Sequence, residues 1–302
     1  MKTSVKLLLA FATAAAAIAP AAAQQVVAWD EAYRQADARI AQLTLDEKIS
    51  FMHGYSSFFF YGVPEKGMPY IYLSDATQGV HMRDNLSDPT MVRQLERSTA
   101  FPCPISLAAT FNPSLAYRYA EAVGEECRAG GIEVLLGPGM NIYRNSQNGR
   151  NFEYMGEDPL LASAMVAEYV KGMQSTGTVA CLKHFICNET EFYRRRSNSI
   201  VDERALHELY LPPFKAGIDA GVGYVMTSYN RHGAVAASAN VATMVNILQG
   251  EWGFHGYNVT DFTRVSLKAA PKESLLAGTT NFCGFGASVD YWNAEALSGD
   301  RA

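Results

Sequence analysis

The sequence predicts an α/β fold: a (β/α)8, TIM-like barrel that is nearly complete or missing its last unit. Three observations lead there. Short apolar runs alternate with longer amphipathic stretches along the chain, the rhythm of a parallel sheet built from βα units. Several of the runs are continuously apolar rather than alternating, as strands covered on both faces are. Polar and ionisable residues collect just past the ends of the runs, where barrels place their active sites. An open doubly wound sheet is the alternative, but no GxGxxG follows the first run.

The elements follow in chain order. Lys2 and Lys6 precede a short apolar run from Leu7 to Ala19, and Ala21-Ala22-Ala23 offers small residues for a signal peptidase. That run is too short to span a bilayer, which needs about 20 residues. Residues 1–23 therefore read as an export signal, with a periplasmic or secreted destination, and no later stretch reads as a transmembrane helix. Thr44 to Glu47 is a capping box opening a helix that ends near Gly54. Asn112-Pro113 and Asp158-Pro159 each set an N-cap before a proline at the first helical position. Leu115, Tyr119, Val123 and Cys127 continue the first of these helices. Leu161, Met165, Tyr169 and Met173 continue the second, with Gly177 as its stop. Ser199 and Asp202 open a further helix that Pro212-Pro213 breaks or restarts. The strands expected between them are 70–74, 104–108, 133–136, 179–184, 223–228 and 257–260, with a weaker one at 279–283.

Composition narrows the function classes. The 302 residues are 48% hydrophobic and carry a formal net charge of −5, which suits a globular core and offers no basic stripe for nucleic acid. Arg194-Arg195-Arg196 is the only dense basic cluster, a poor footprint for phosphates. Six histidines show no HxH or HExxH spacing, so no metal is expected and no cofactor is called for. The five cysteines match no disulfide framework or CxxC pair and read mostly as small buried hydrophobes.

Chemistry gathers at the strand ends. Asp75 follows the first run, Arg144 and Arg150 the third, Lys183-His184 the fourth, Tyr229-Asn230 the fifth and Asp261 the sixth. In a barrel these converge on one face. Donors and acceptors with Phe262 and Tyr229 beside them suit a polyhydroxylated ring, whose hydroxyls need polar partners and whose apolar face needs an aromatic floor.

Specific blocks then carry a resemblance. Residues 149–154 read Gly-Arg-Asn-Phe-Glu-Tyr and are followed by Gly156-Glu157-Asp158-Pro159. Lys183-His184-Phe185 leads to Asn188, Glu189, Glu191 and Arg194. The run from Asp202 to Phe214, then Val225 to Asn230, Glu251-Trp252-Gly253-Phe254 and Val259-Thr260-Asp261 complete the series. Together, in this order over residues 40 to 280 or so, they resemble family 3 glycoside hydrolases of the multidomain β-glucosidase and β-xylosidase type. The resemblance implies a retaining exo-β-glycosidase acting on β-glucosides or related oligosaccharides. Asp261 would be the nucleophile that forms a covalent glycosyl-enzyme. Asp75, Arg150, Lys183, His184 and Arg194 would hold the sugar hydroxyls, with Tyr229 close to Asp261. An ionised Asp261 leads one to expect Arg150, Lys183 and Arg194 to hold its pKa low.

Three departures from the family pattern accompany these matches. His81 stands where the family carries an arginine, with Arg83 nearby, and Phe262 replaces a common tryptophan after the nucleophile. Residues 24–284 are expected to form the barrel domain and 285–302 an unassigned tail. In multidomain members a second α/β sandwich domain supplies the acid/base glutamate, so the resemblance implies a partial enzyme whose general acid lies elsewhere. Glu153, Glu189 and Glu191 are candidates for that role by location only. The single-domain relatives carry KHFPGHG, a loop missing from Lys183 to Asn188 here. A non-catalytic sugar-binding protein is the rival reading.

Overall fold

The computed structural model describes residues 29–52, 54–56, 58–75, 77–81, 95, 97–262 and 271–283. The expected signal (1–23), Arg83 and the tail (285–302) lie outside them. Helix α1 (Trp29–Ile40) and helix α2 (Leu45–Phe51) lead in. The predicted capping box is present: the Glu47 amide donates to Thr44 Oγ1 at 3.3 Å, and the Thr44 amide donates to the Glu47 carboxylate at 2.7 Å.

Strands β1 (Gly54–Ser56) and β2 (Phe59–Phe60) form a short antiparallel pair, and β2 runs antiparallel to β3 (Ile71–Asp75). From β3 onward the sheet is parallel through β4 (Val134–Leu136), β5 (Val179–Phe185), β7 (Tyr224–Thr227) and β10 (Tyr257–Thr260). The two edges meet through residues 281 and 282. Asn281 bridges Val259 in parallel, the Phe282 amide donates to the Met52 carbonyl at 2.9 Å, and the Gly54 amide donates to the Phe282 carbonyl at 3.0 Å. The sheet thus curls into a barrel, as expected. The part that departs from βα rhythm lies on its N-terminal side, in the antiparallel β1 and β2. Strands β6 (Asn198–Ser199), β8 (Arg231–His232) and β9 (Val235–Ala236) make a separate small sheet beyond the ends of β5 and β7.

One expected strand is a helix. Pro104–Ala108 forms α3, with Cys103 as its N-cap and Pro104 at the first helical position. Proline donates nothing to a strand ladder, whereas its fixed φ suits a helix start. The longer helices match expectation. Helix α4 (Pro113–Ala129) is capped by Asn112, and α5 (Pro159–Ser175) by Asp158. Asp202 caps the short α6 (Glu203–Ala205), which passes through a π-helical turn at 206–210 before Pro212 restarts the chain as α7 (Pro212–Asp219). Helix α8 (Pro271–Leu276) closes the described series. Helices α4 and α5 pack closely because Gly172 has no side chain: a Cβ there would sit 2.1 Å from the Tyr117 carbonyl oxygen.

Strand alternation sorts the core into two layers and aims the polar residues. Leu135, Leu182 and Val225 join the outer core against the helices, with Val123, Met165, Tyr169 and Phe214. Leu73, Val134, Leu136, Cys181, Tyr224, Met226 and Val259 fill the barrel interior with Phe58 to Phe60. Side chains repeat every second residue on one strand face. Asp75, Lys183 and Asp261, each two positions past an inward residue, therefore extend the interior stack at the C-terminal ends of their strands. Cys127, Cys181, Cys187 and Cys283 are buried and Cys103 is half-buried.

Candidate active site

At the C-terminal mouth of the barrel, the expected site residues come together around two groups. Asp261, 8% exposed, directly follows β10. One carboxylate oxygen accepts from the Phe262 amide at 2.8 Å, and the other faces His184 Nε2 at 3.7 Å. The Tyr229 hydroxyl is directed at the same carboxylate. Burial pushes the Asp261 carboxyl above the usual aspartate range; Arg150, the Phe262 amide, Lys183 and Arg194 pull it down without cancelling that effect. The expectation of a lowered value is therefore corrected, because enclosure outweighs the surrounding cations. Burial, then Arg150, Lys183 and Arg194, push His184 well below the usual imidazole range. A neutral imidazole faces Asp261, not an imidazolium, so the His184–Asp261 approach is not an ion pair.

Lys183 is the second focus. Its ammonium lies 3.6 Å from both Asp75 and Glu153 and is nearly enclosed. The other Glu153 oxygen accepts from Arg150 Nε, and Arg150 also stands 3.7 Å from Glu191. Glu191 accepts from Arg194 at 2.7 Å and from the Asn188 amide at 3.2 Å. The Arg194 guanidinium lies over the Tyr229 ring, 4.5 Å from its centroid, and exposed Arg195 lies 5.6 Å from the same ring. Cations and carboxylates thus alternate around the mouth, each fixed by a neighbour of opposite sign.

Two carboxyl groups read from sequence as acid candidates have other work. Glu153 and Glu191 orient Arg150, Lys183 and Arg194. Glu189 is buried beside Asn141, without a well-formed hydrogen bond to either oxygen, and burial pushes it up to about 8 against the pull of Arg144. Arg144, also expected at the strand ends, is exposed and associates with Glu189 and Tyr210 instead. His81 is exposed, and its backbone amide donates to Ser74 Oγ at 3.0 Å. Among the described residues, no cluster of histidine, cysteine and acidic groups is arranged to hold a metal ion.

Sequence reading missed Tyr154 and Asn141. The fully buried Tyr154 hydroxyl meets His184 Nδ1 at 3.2 Å and accepts from the Asn188 amide at 3.2 Å. Tyr154 sits inside the 149–154 block, so it was visible as part of a motif, but nothing local links it to a residue 30 positions away.

Comparison with known proteins supplies the family. Residues 88–279 match the model of the glycosyl hydrolase family 3 N terminal domain. The chain belongs to glycosyl hydrolase family 3. Beta-glucosidase BoGH3A of Bacteroides ovatus is 41% identical over 223 residues, covering 73% of this chain and 30% of that protein. Probable beta-glucosidase F of Emericella nidulans is 40% identical over 250 residues, covering 78% of this chain and 27% of its own length. Among solved structures, beta-glucosidase 3B of Thermotoga neapolitana in complex with glucose superposes with a TM-score of 0.77 at 35% identity. That match covers 86% of this chain and 37% of the other. The chain spans less than a third of the length of these two curated relatives.

Proposed function

We propose that this chain carries the sugar-holding and nucleophilic half of a retaining exo-β-glycosidase that cleaves β-glucosides or related oligosaccharides. The observation that carries the reading is the enclosed Asp261 at the end of β10, with His184, Tyr229 and the three cations around it. In this reading the Asp261 carboxylate attacks the anomeric carbon, the glycosidic bond breaks, and water hydrolyses the resulting ester. Asp75, Lys183, His184, Arg150 and Arg194 hold the ring hydroxyls. Those hydrogen bonds tighten as the ring flattens toward its oxocarbenium-like transition state. The cations also oppose the burial of Asp261 and favour its ionised form. Tyr229 donates to the attacking carboxylate and is itself kept protonated, by burial and then by the negative charge of Asp261.

Glu153 and Glu191 are committed to cations, and Glu189 lies with Arg144, so none of these three is assigned as general acid. The relatives' names support a β-glucoside as substrate, and glucose bound to the Thermotoga enzyme supports a glucosyl ring in the pocket. Export is part of the proposal, supported by Lys2, Lys6, the Leu7 to Ala19 run and the alanines before Gln24. Among the described residues no helix is long and apolar enough to cross a membrane.

The test is intact mass after incubation with a 2-deoxy-2-fluoro glucoside bearing an activated leaving group, beside Asp261→Asn. A stoichiometric adduct that disappears in the variant is expected. A folded chain that forms no adduct with glucosyl or xylosyl reagents, yet binds glucose, overturns the catalytic reading in favour of a sugar-binding protein.

A further inference from the structure

We infer that Asn141 is a positioning residue for the reaction: its side-chain amide clamps the main chain of His184 and so fixes the imidazole that faces Asp261. The inference rests on the catalytic reading above, and it begins with the way β5 ends. Up to Lys183 the strand is held on both sides by backbone. The Cys181 amide donates to the Gly137 carbonyl at 2.9 Å and the Lys183 amide to the Pro138 carbonyl at 3.1 Å, while the Met140 amide donates to the Lys183 carbonyl. On the other side Cys181, Leu182 and Lys183 pair with Tyr224, Val225 and Met226. The register with β7 then slips and resumes only at Phe185, opposite Thr227, so His184 is skipped.

Asn141 stands where the ladder leaves off. Its Oδ1 accepts from the His184 amide at 2.9 Å, and its Nδ2 donates to the His184 carbonyl at 3.0 Å. A carboxamide holds an acceptor oxygen and a donor NH2 in one plane, much as a peptide group holds its C=O and N–H. It therefore pairs with both polar groups of one residue, as a neighbouring strand would. Both residues are buried, Asn141 at 3% and His184 at 1% exposure, so water does not compete for these bonds. Glu189 is buried beside the same Asn141 amide.

What the clamp controls is the imidazole. His184 Nδ1 is met by Tyr154 and Nε2 faces Asp261, so the ring has a fixed direction only while its Cα stays in place. Asn141 does not need to touch substrate for this; it acts through His184. Misplacing a reacting or substrate-holding group by ~1 Å commonly costs on the order of 10²-fold in rate.

The experiment uses the full chain with Asn141→Ala and Asn141→Asp. The second keeps the volume and the acceptor but turns an oxygen toward the His184 carbonyl, so it serves if the alanine variant does not fold. The rate of labelling by the 2-fluoro glucoside is measured in the parent and in a His184→Ala background, together with amide exchange of peptides spanning 180–187 by mass spectrometry. We expect a loss of ~10–100-fold in the parent, under ~3-fold in the His184→Ala background, and faster exchange confined to that segment. Equal losses in both backgrounds, or unchanged exchange at His184, overturn the clamp. If the parent forms no adduct, the catalytic reading fails, and amide exchange alone then decides whether Asn141 holds His184.

Discussion

Glu153→Gln tests whether the alternating charges at the barrel mouth hold one another. The substitution keeps shape and removes one negative charge from between Arg150 and Lys183. Glu153 and Lys183 side chains are 6% and 4% exposed, so neither charge is replaced by water on losing its partner. At 3.6 Å and an effective dielectric of about 20, the Lys183–Glu153 attraction is about 5 kcal/mol gross. Part of this is offset, because glutamine no longer has to be desolvated as an anion. Lys183 also keeps Asp75 at 3.6 Å, and Arg150 keeps Glu191 at 3.7 Å, though both acids are more exposed. Removing one partner of a buried pair costs about 3–5 kcal/mol, and these second partners favour the lower end, about 3 kcal/mol. For a domain of this size that is a fall in Tm of about 6–12 °C. Thermal unfolding by circular dichroism reads it directly. Labelling of Asp261 should slow in parallel, by ~10²-fold, as Arg150 and Lys183 lose their orientation. A Tm within about 2 °C of the parent, with labelling unchanged, would refute the view that these charges are mutually fixed.

Three further outcomes are expected. The Asp261 carboxyl is raised by burial, so its labelling rate should fall on acidification at a pH above the ordinary aspartate range; an acid limb at or below about 3.9 contradicts the enclosure of the site. Glu189, raised by burial to about 8, contributes stability that is full below about 4.3 and is lost as pH rises through about 8. Glu189→Gln should accordingly gain in Tm relative to the parent at pH 9 compared with pH 4, and the reverse ordering defeats the assignment. Gly172→Ala forces a methyl group to within 2.1 Å of the Tyr117 carbonyl oxygen, and the helices must separate at a cost of about 1–3 kcal/mol; urea unfolding with an unshifted midpoint would show that the α4–α5 contact is not close.

The sequence by itself determined the parts governed by local pattern. Thr44, Asn112, Asp158 and Asp202 cap the helices they were expected to open, because a cap is decided by a side chain and the three residues after it. Apolar runs located β3, β4, β5, β7 and β10, and the residues just past them, Asp75, Lys183, His184, Tyr229 and Asp261, gather at one mouth. Only the tertiary structure decided the rest. Pro104–Ala108 has the apolar character of a strand and becomes a helix, and the antiparallel β1 and β2 carry no signal strong enough to read at two or three residues. In the sequence Glu153 and Glu191 are acid candidates by location only, and their distances to Arg150, Lys183 and Arg194 make them counter-charges. Asn141 and Tyr154 reach His184 across 43 and 30 positions, a contact that no local window contains. The state of Asp261 depends on a balance between desolvation and nearby cations. Sequence names the cations, but the depth of burial that outweighs them exists only once the barrel has closed around the carboxylate.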